Sequence, residues 1–268
     1  MKILILGDVM GASGREAINK KLPDIIKKNK INFVIVNGEN AADDGKGITK
    51  DIAERFFENG VDVITSGNHI WDKQETTSYI DFENRLLRPS NLAEGSPGKG
   101  HEVYFTKDKK FKIGVINLMG NVFMRKTEDV FQEAKKISKK MVLKKDVDFI
   151  VVDFHGEITS EKMAIGHFFD GQVTCVVGTH THVPTADTRV LDNGTAYQTD
   201  IGMCGDYNSV IGMNKENSLK KFLKDNNFKN HFPANGEASL SGVIILADET
   251  TGLAKKITRF IEGGVFKN

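Results

Sequence analysis

The chain has 268 residues, of which 39% are hydrophobic and 27% are charged. These fractions exclude a disordered or membrane-spanning chain. The 37 basic and 36 acidic residues leave a formal net charge of +1, so no strong overall field draws the protein to long nucleic acid or to an anionic membrane. Its two cysteines, Cys175 and Cys204, do not form a secreted disulfide framework. The N-terminal apolar run is too short for a signal peptide, and we therefore expect a cytoplasmic protein.

Short apolar runs typical of buried strands alternate with amphipathic stretches along the first two thirds of the chain. Continuous β-branched runs of this length predict strands that are covered on both faces. The predicted strands lie at residues 3–6, 33–36, 61–64, 113–116, 149–152 and 173–177.

Helical spacing of apolar residues predicts helices over residues 15–28, 49–59 and 127–145. Thr49 has the side chain of an N-cap. Pro23 could kink or shorten the first of these helices, because proline removes a helical hydrogen bond. The third is rich in lysine, and its charges are expected to face solvent.

Hairpin signals replace the strand–helix alternation toward the C-terminus. The Asp-Asn-Gly sequence at 192–194 is a strong turn signal, and further strands are predicted at 243–246 and 256–260. Residues 89–100, rich in Gly, Pro and Ser, predict a long surface loop. Strand–helix units followed by hairpins predict the α/β class, as a layered sandwich of two mixed sheets in a single domain over residues 1–268.

Polar side chains with oxygen or nitrogen donors follow five of the predicted strands. Ligands of open α/β sheets bind at the carboxyl ends of strands. Taken alone, each residue also fits a structural role: Asp8 a helix cap, Asn68 an Asx turn, and His155 a hydrogen-bonded histidine at the edge of the core. The five strand ends carry Asp8, Glu39 with Asn40, Asn68 with His69, His155, and His180 with His182.

Taken together, these residues predict a metal centre. Carboxylate, amide and neutral imidazole ligands suit manganese, iron or zinc, and without a thiolate in the set a structural zinc site is disfavoured. His180 and His182 are two positions apart, so in a strand both imidazoles would face the same side. The donors exceed what one tetrahedral ion needs, and two ions that share a carboxylate would account for the excess.

The motifs resemble those of the calcineurin-like metallophosphoesterases. Gly67-Asn68-His69 looks like the G-N-H motif, and the sequence at 178–182 looks like the G-H-x-H motif with an inserted threonine. The usual D-x-H motif is Asp8-Val9-Met10 here, without its histidine, and Glu39-Asn40 stands where the superfamily carries an aspartate. These departures resemble the YmdB-like branch of cyclic-nucleotide phosphodiesterases, which the chain matches nearly end to end. Further matches are Arg88-Pro89-Ser90-Asn91, Ser160-Glu161-Lys162 and Thr199-Asp200-Ile201-Gly202-Met203.

The resemblance implies a four-layer sandwich, in which two mixed β-sheets are flanked by helices, and two divalent or trivalent metal ions per chain. Iron is the expected metal, with manganese and zinc as alternatives. The family also leads us to expect a homo-oligomer. Carried over by motif, the ligands of the first ion are Asp8, Glu39, Asn40 and His182, and those of the second are Glu39, Asn68, His155 and His180, with Glu39 bridging.

The implied activity is that of a hydrolase, a metal-dependent phosphodiesterase acting on small 2′,3′-cyclic or 3′,5′-cyclic nucleotides. A hydroxide that bridges the ions would attack phosphorus, and His69, which follows a ligand directly, would protonate the leaving alkoxide as general acid. Asp153, Glu157 or Asp200 could orient ligand imidazoles. Two alternatives stay open. One is nuclease or phosphomonoesterase action at the same site, although the near-neutral charge does not favour RNA as a partner. The other is a non-catalytic regulator that senses nucleotides.

Overall fold

The computed structural model describes residues 1–266, and the last two residues of the predicted domain, 267 and 268, lie outside the described part. The helices are α1 (Gly11–Asn29), α2 (Lys50–Glu58), α3 (Gln74–Tyr79), α4 (Val130–Lys140), α5 (Thr159–Phe168) and α6 (Lys215–Phe222). The strands are β1 (Lys2–Leu6), β2 (Asp8–Val9), β3 (Phe33–Asn37), β4 (Val63–Thr65), β5 (His101–Phe105), β6 (Lys112–Met119), β7 (Phe149–His155), β8 (Cys175–Thr179), β9 (Arg189–Val190), β10 (Ala196–Gln198), β11 (Met203–Cys204), β12 (Ser239–Ala247) and β13 (Ala254–Gly263).

The described residues form two mixed sheets and a short parallel pair of β2 with β11. The first sheet has the order β13-β12-β1-β3-β4, in which β1, β3 and β4 are parallel and β12 is antiparallel to β1. The second has the order β5-β6-β7-β8-β10-β9, in which β6, β7, β8 and β10 are parallel. The carboxyl ends of parallel strands lie at one edge of each sheet, so the loops that follow β1, β3, β4, β7 and β8 lie at such edges.

Three clusters of buried apolar residues separate the layers of the fold. Ile5 and Val151 belong to the cluster between the two sheets. The helices α1 and α2 cover the outer face of the first sheet, where Ile18 is buried. The helices α4 and α5 cover the outer face of the second sheet with Ile137 and Ile165. The chain is therefore a four-layer α/β sandwich, as predicted.

The predicted turns and caps are confirmed. Thr49 caps α2 by accepting a 3.3 Å hydrogen bond from the backbone N–H of Ile52. The turn at 192–194 joins β9 to β10 as an antiparallel pair, and β12 pairs with β13 in the same way. In the part of the chain that the structure covers, no helix has both the length and the apolar character needed to cross a membrane.

Several predicted boundaries are wrong. The strands predicted at 61–64 and 173–177 begin two residues later, at Val63 and Cys175. The helix predicted over 127–145 is the shorter α4, because Asp129 caps it by accepting a hydrogen bond from the N–H of Gln132. The first helix is longer than predicted and continues through Pro23, because Leu22 and Ile25 near the proline are buried in the core.

Candidate metal centre

All eight predicted site residues lie in one cluster, at the carboxyl ends of β1, β3, β4, β7 and β8. Three of them, Asp8, Glu39 and His155, are at most 1% exposed. The first sheet supplies the carboxylates and amides, and the second sheet supplies the histidines of β7 and of the loop after β8. The cluster therefore lies where the two sheets meet.

One group of donors surrounds His155. Its Nε2 lies 2.9 Å from Oε1 of Glu39, 3.2 Å from Oδ1 of Asn68 and 3.1 Å from Nδ1 of His180. Ligand atoms of Glu39, His155 and His180 all lie within 4.8 Å of one another, so one cation could contact all three. These four residues are those predicted to hold the second ion.

A second group of donors surrounds His182. Its Nε2 lies 3.2 Å from Oδ1 of Asn40 and 4.0 Å from Oδ1 of Asp8. The side-chain amide of Asn40 donates a 2.8 Å hydrogen bond to the carbonyl of Gly45, which turns the amide oxygen toward His182. Together with Glu39, these residues are those predicted to hold the first ion.

Asp8 has the environment of a carboxylate that binds a cation. Its Oδ2 accepts a 3.1 Å hydrogen bond from the backbone N–H of His180. Its Oδ1 is buried and has no hydrogen-bond partner among residues 1–266, and Nδ1 of His155 is 3.7 Å away. An unpaired buried carboxylate oxygen is costly, and a metal ion would satisfy it. The donor set thus fits the predicted metals.

The pKa values of the cluster are shifted in different directions by burial and by neighbouring charges. Burial raises the pKa of Asp8 to about 6, although His182 and His155 oppose the rise. Burial also acts to raise the pKa of Glu39, but attraction and hydrogen bonding to His155 outweigh it and bring the pKa to about 2. Burial and His155 lower the pKa of His180 to about 3, which favours the neutral imidazole that metal binding requires.

The loop after β8 has a strained backbone. His180 and His182 have φ angles of 99° and 66°, which non-glycine residues adopt uncommonly and which concentrate at functional sites. The expectation that the two histidines share one face of a strand is wrong, because β8 ends at Thr179. The imidazoles reach the cluster from a loop instead.

A buried ion pair holds this loop. Oδ2 of Asp200 accepts hydrogen bonds from the backbone N–H of Thr181 at 3.1 Å and from its hydroxyl at 2.7 Å. The same oxygen lies 2.7 Å from Nζ of Lys162, which is 1% exposed. Asp200 therefore fixes the residue between the two histidines rather than orienting an imidazole directly.

A series of hydrogen bonds through side chains orients His155. Nδ1 of His155 lies 2.9 Å from the Thr179 hydroxyl, which donates a 2.8 Å hydrogen bond to Asp153. Since that hydroxyl donates to Asp153, it accepts from Nδ1–H and leaves Nε2 as the free nitrogen. Asp153 thus acts on the imidazole through Thr179, a residue that the sequence reasoning missed. Glu157 contacts His180 directly, with Oε2 3.0 Å from Nε2 of the imidazole.

His69 lies beside the donors and contacts Glu39 through its backbone and Asp72 through its ring. Its backbone N–H donates a 3.1 Å hydrogen bond to Glu39, and its Nδ1 lies 2.7 Å from Oδ2 of Asp72. Arg125 donates to the other oxygen of Asp72 at 3.2 Å. Neither Asp72 nor Arg125 had been assigned a role from the sequence. Gly67 is required here, because a β-carbon on it would collide with the His155 ring and the Glu39 carboxylate.

A cavity of about 290 Å³ opens onto the cluster. This volume is close to the lower end of the range for small-molecule sites. Its polar lining includes Glu39, Asn40, His69, His180 and His182, and its apolar lining includes Met10, Ile211 and Met213.

The chain matches the family model of YmdB-like proteins over residues 4–260. It belongs to the YmdB-like family. The 2′,3′-cyclic-nucleotide 2′-phosphodiesterase of Bacillus subtilis (strain 168) is 44% identical to this YmdB-like chain over 261 residues, which cover 97% of each sequence. The family and the enzyme class, a phosphodiesterase, agree with the sequence prediction.

Solved structures support the same fold for this YmdB-like chain. A crystal structure described as a novel phosphatase of Mycoplasma pneumoniae has a TM-score of 0.89 and 38% identity, and the match covers 98% of this chain and 93% of that one. The 5′-nucleotidase of Candida albicans SC5314 has a TM-score of 0.56 and 13% identity, over 97% of this chain and 50% of that one. The second likeness concerns the fold alone.

Proposed function

We propose that this YmdB-like protein is a metal-dependent phosphodiesterase that hydrolyses small cyclic nucleotides, either 2′,3′-cyclic or 3′,5′-cyclic nucleoside monophosphates. The proposal rests on the convergence of carboxylate, amide and imidazole donors around the unpaired Oδ1 of Asp8, beside a cavity of about 290 Å³. The name of the B. subtilis relative favours the 2′,3′-cyclic substrates.

Two groups of donors favour two metal ions. We assign Asp8, Asn40 and His182 to one ion and Asn68, His155 and His180 to the other, with Glu39 shared. Iron is our first candidate, and manganese or zinc fit the same oxygen and nitrogen donors. When bound, such ions supply Lewis acidity that stabilises the negative charge developing on the phosphoryl oxygens.

His69 is our candidate for the general acid. Asp72 lies against its Nδ1, so Nε2 is the nitrogen left to deliver a proton to the leaving oxygen of the opened ring. Arg125 holds the second oxygen of Asp72, which limits rotation of that carboxylate. Asp72 and Arg125 act through His69 and are positioning residues.

Replacing His69 with alanine is expected to lower turnover of 2′,3′-cyclic AMP by about 10²- to 10⁴-fold, the usual contribution of a general acid. The metal content, measured by ICP-MS, should stay at the wild-type level because His69 is not among the assigned ligands. His101→Ala, at a histidine that contacts Ser90 away from the cluster, is the matched control. Loss of metal from the His69 variant would contradict the assignment.

Replacing Thr179 with valine is expected to weaken metal binding about 10- to 100-fold, the typical effect of losing the partner of a ligand imidazole. Valine breaks the chain of hydrogen bonds from Asp153 to His155 at nearly constant volume. Competition with a graded series of chelators measures the affinity. Thr179→Ser, which keeps the hydroxyl, should restore most of it. Equal affinities of the valine and serine variants would refute the role of the hydroxyl.

Phosphomonoesterase action at the same centre is the second candidate, favoured by the description of the M. pneumoniae structure as a phosphatase. Assays against 2′,3′-cyclic AMP, 3′,5′-cyclic AMP, p-nitrophenyl phosphate and a structured RNA separate the candidates. Faster turnover of the two cyclic nucleotides is the expected result. Faster turnover of the monoester or of RNA would replace the proposal, and two bound ions without any turnover would favour a nucleotide sensor.

A further inference from the structure

Three apolar side chains line the cavity that the donor residues also line: Met10, Ile211 and Met213. We call them the apolar wall. Gly45 lies against two of them, because a β-carbon on it would come 2.6 Å from Cε of Met10 and 3.4 Å from Cε of Met213. The carbonyl of Gly45 accepts the hydrogen bond that orients Asn40. The apolar wall is therefore continuous with the polar cluster.

Ile211 lies in a turn whose backbone does not suit isoleucine. Val210 and Met213 exchange two backbone hydrogen bonds of 2.9 Å, and the central residues Ile211 and Gly212 have φ angles of 48° and 91°. Two central residues with positive φ are the pattern of a type I′ turn, in which Asn-Gly is the preferred pair. A β-branched residue with positive φ is a genuine outlier.

The backbone of Ile211 has a role that does not need its side chain. Its carbonyl lies 2.8 Å from Nδ1 of His182 and accepts that proton, which leaves Nε2 facing Asn40 and Asp8. Asparagine at this position would supply the same carbonyl with less strain. Core packing does not explain the isoleucine either, since it is 57% exposed.

We propose that the apolar wall is the subsite for the nucleobase of the substrate, with Ile211 packed against the face of the base. The inference rests on the proposed cyclic-nucleotide function. A base has two apolar faces, and methionine side chains adapt to rings of different size because they are flexible and polarisable. Recognition of a face rather than of edge atoms makes the subsite tolerant of purines and pyrimidines alike.

Ile211→Asn tests the subsite. Asparagine suits the turn and keeps the carbonyl on His182, but it removes the apolar surface. The measurement is the ratio of kcat/KM for 2′,3′-cyclic AMP to kcat/KM for glycerol 1,2-cyclic phosphate, which has the cyclic phosphodiester but no base. We expect this ratio to fall about 10-fold, as for loss of one well-buried aliphatic contact in the complex. Thermal unfolding checks that the variant is folded.

Two further variants serve as controls. Ile211→Val keeps a β-branched apolar side chain and should keep most of the ratio. Leu219→Asn makes the same kind of change at an equally exposed leucine of α6, 55% exposed, and should leave the ratio at the wild-type value. An unchanged ratio in Ile211→Asn would overturn the subsite, whether the two kcat/KM values stay at the wild-type level or fall equally. A wild-type enzyme that hydrolyses neither of these substrates nor 3′,5′-cyclic AMP would overturn the proposed function itself.

Discussion

Glu39→Gln is expected to lower kcat/KM for cyclic nucleotides by about 10³-fold or more and to reduce the bound metal below two ions per chain. Glu39 is fully buried, and its two oxygens face His155 and the backbone of His69. Glutamine keeps the size but removes the charge that two cations would share. A loss of about 4 kcal/mol of transition-state stabilisation corresponds to this rate effect.

The measurement pairs steady-state kinetics with ICP-MS on protein dialysed against metal-free buffer. Glu94→Gln, the same substitution at an exposed glutamate of the 89–100 loop, is the control and should resemble the wild type in both respects. A Glu39 variant that retains two ions would show that this carboxylate is not shared between them. Full activity of that variant would remove Glu39 from the centre altogether.

The second large effect is expected from Lys162→Met. The Nζ of Lys162 and the carboxylate of Asp200 are both at most 2% exposed and lie 2.7 Å apart. Removing one partner of a buried ion pair costs about 3–5 kcal/mol, because it leaves an uncompensated buried charge. For a chain of this size, that cost corresponds to a lower Tm by about 10 °C. Denaturant unfolding at fixed metal concentration measures the free energy.

A double variant separates the charge from the packing. Lys162→Met combined with Asp200→Asn leaves no buried charge at the pair, so it should be more stable than Lys162→Met alone. Metal affinity should not recover in parallel, because asparagine replaces the carboxylate that holds Thr181 between the two histidines. A double variant less stable than both single variants would contradict the charge-based explanation.

Continuous apolar runs were enough to predict most of the central strands, because strands such as β7 are buried on both faces. The same reasoning could not find α5, since this helix buries Lys162 and so lacks a clean apolar stripe. Nor could it find the β2–β11 pair, in which Asp8 and Val9 pair with the distant residues Met203 and Cys204. Pairs of this kind are stabilised by tertiary contacts rather than by local propensity.

The site residues that could be predicted from the sequence are those whose polar side chains stand at the end of a buried strand. Asp8, Glu39 and His155 follow buried runs, so their convergence could be expected before their contacts were known. Thr179 and Ile211 could not be assigned in this way. Thr179 acts through a hydroxyl inside a strand, and Ile211 acts on His182 through a backbone carbonyl, which every residue type possesses.

The position of the centre at the junction of the two sheets has a consequence for folding. Asp8 and His180 are 172 positions apart in the sequence, yet a hydrogen bond joins them. Their donors therefore meet only after both sheets have formed and docked, a late event because such long-range contacts are slow to close. A cation that binds only the finished fold stabilises it by about 4 kcal/mol at a thousandfold excess over its dissociation constant. Under the proposed metal dependence, the supply of metal would therefore set the stability of the folded chain.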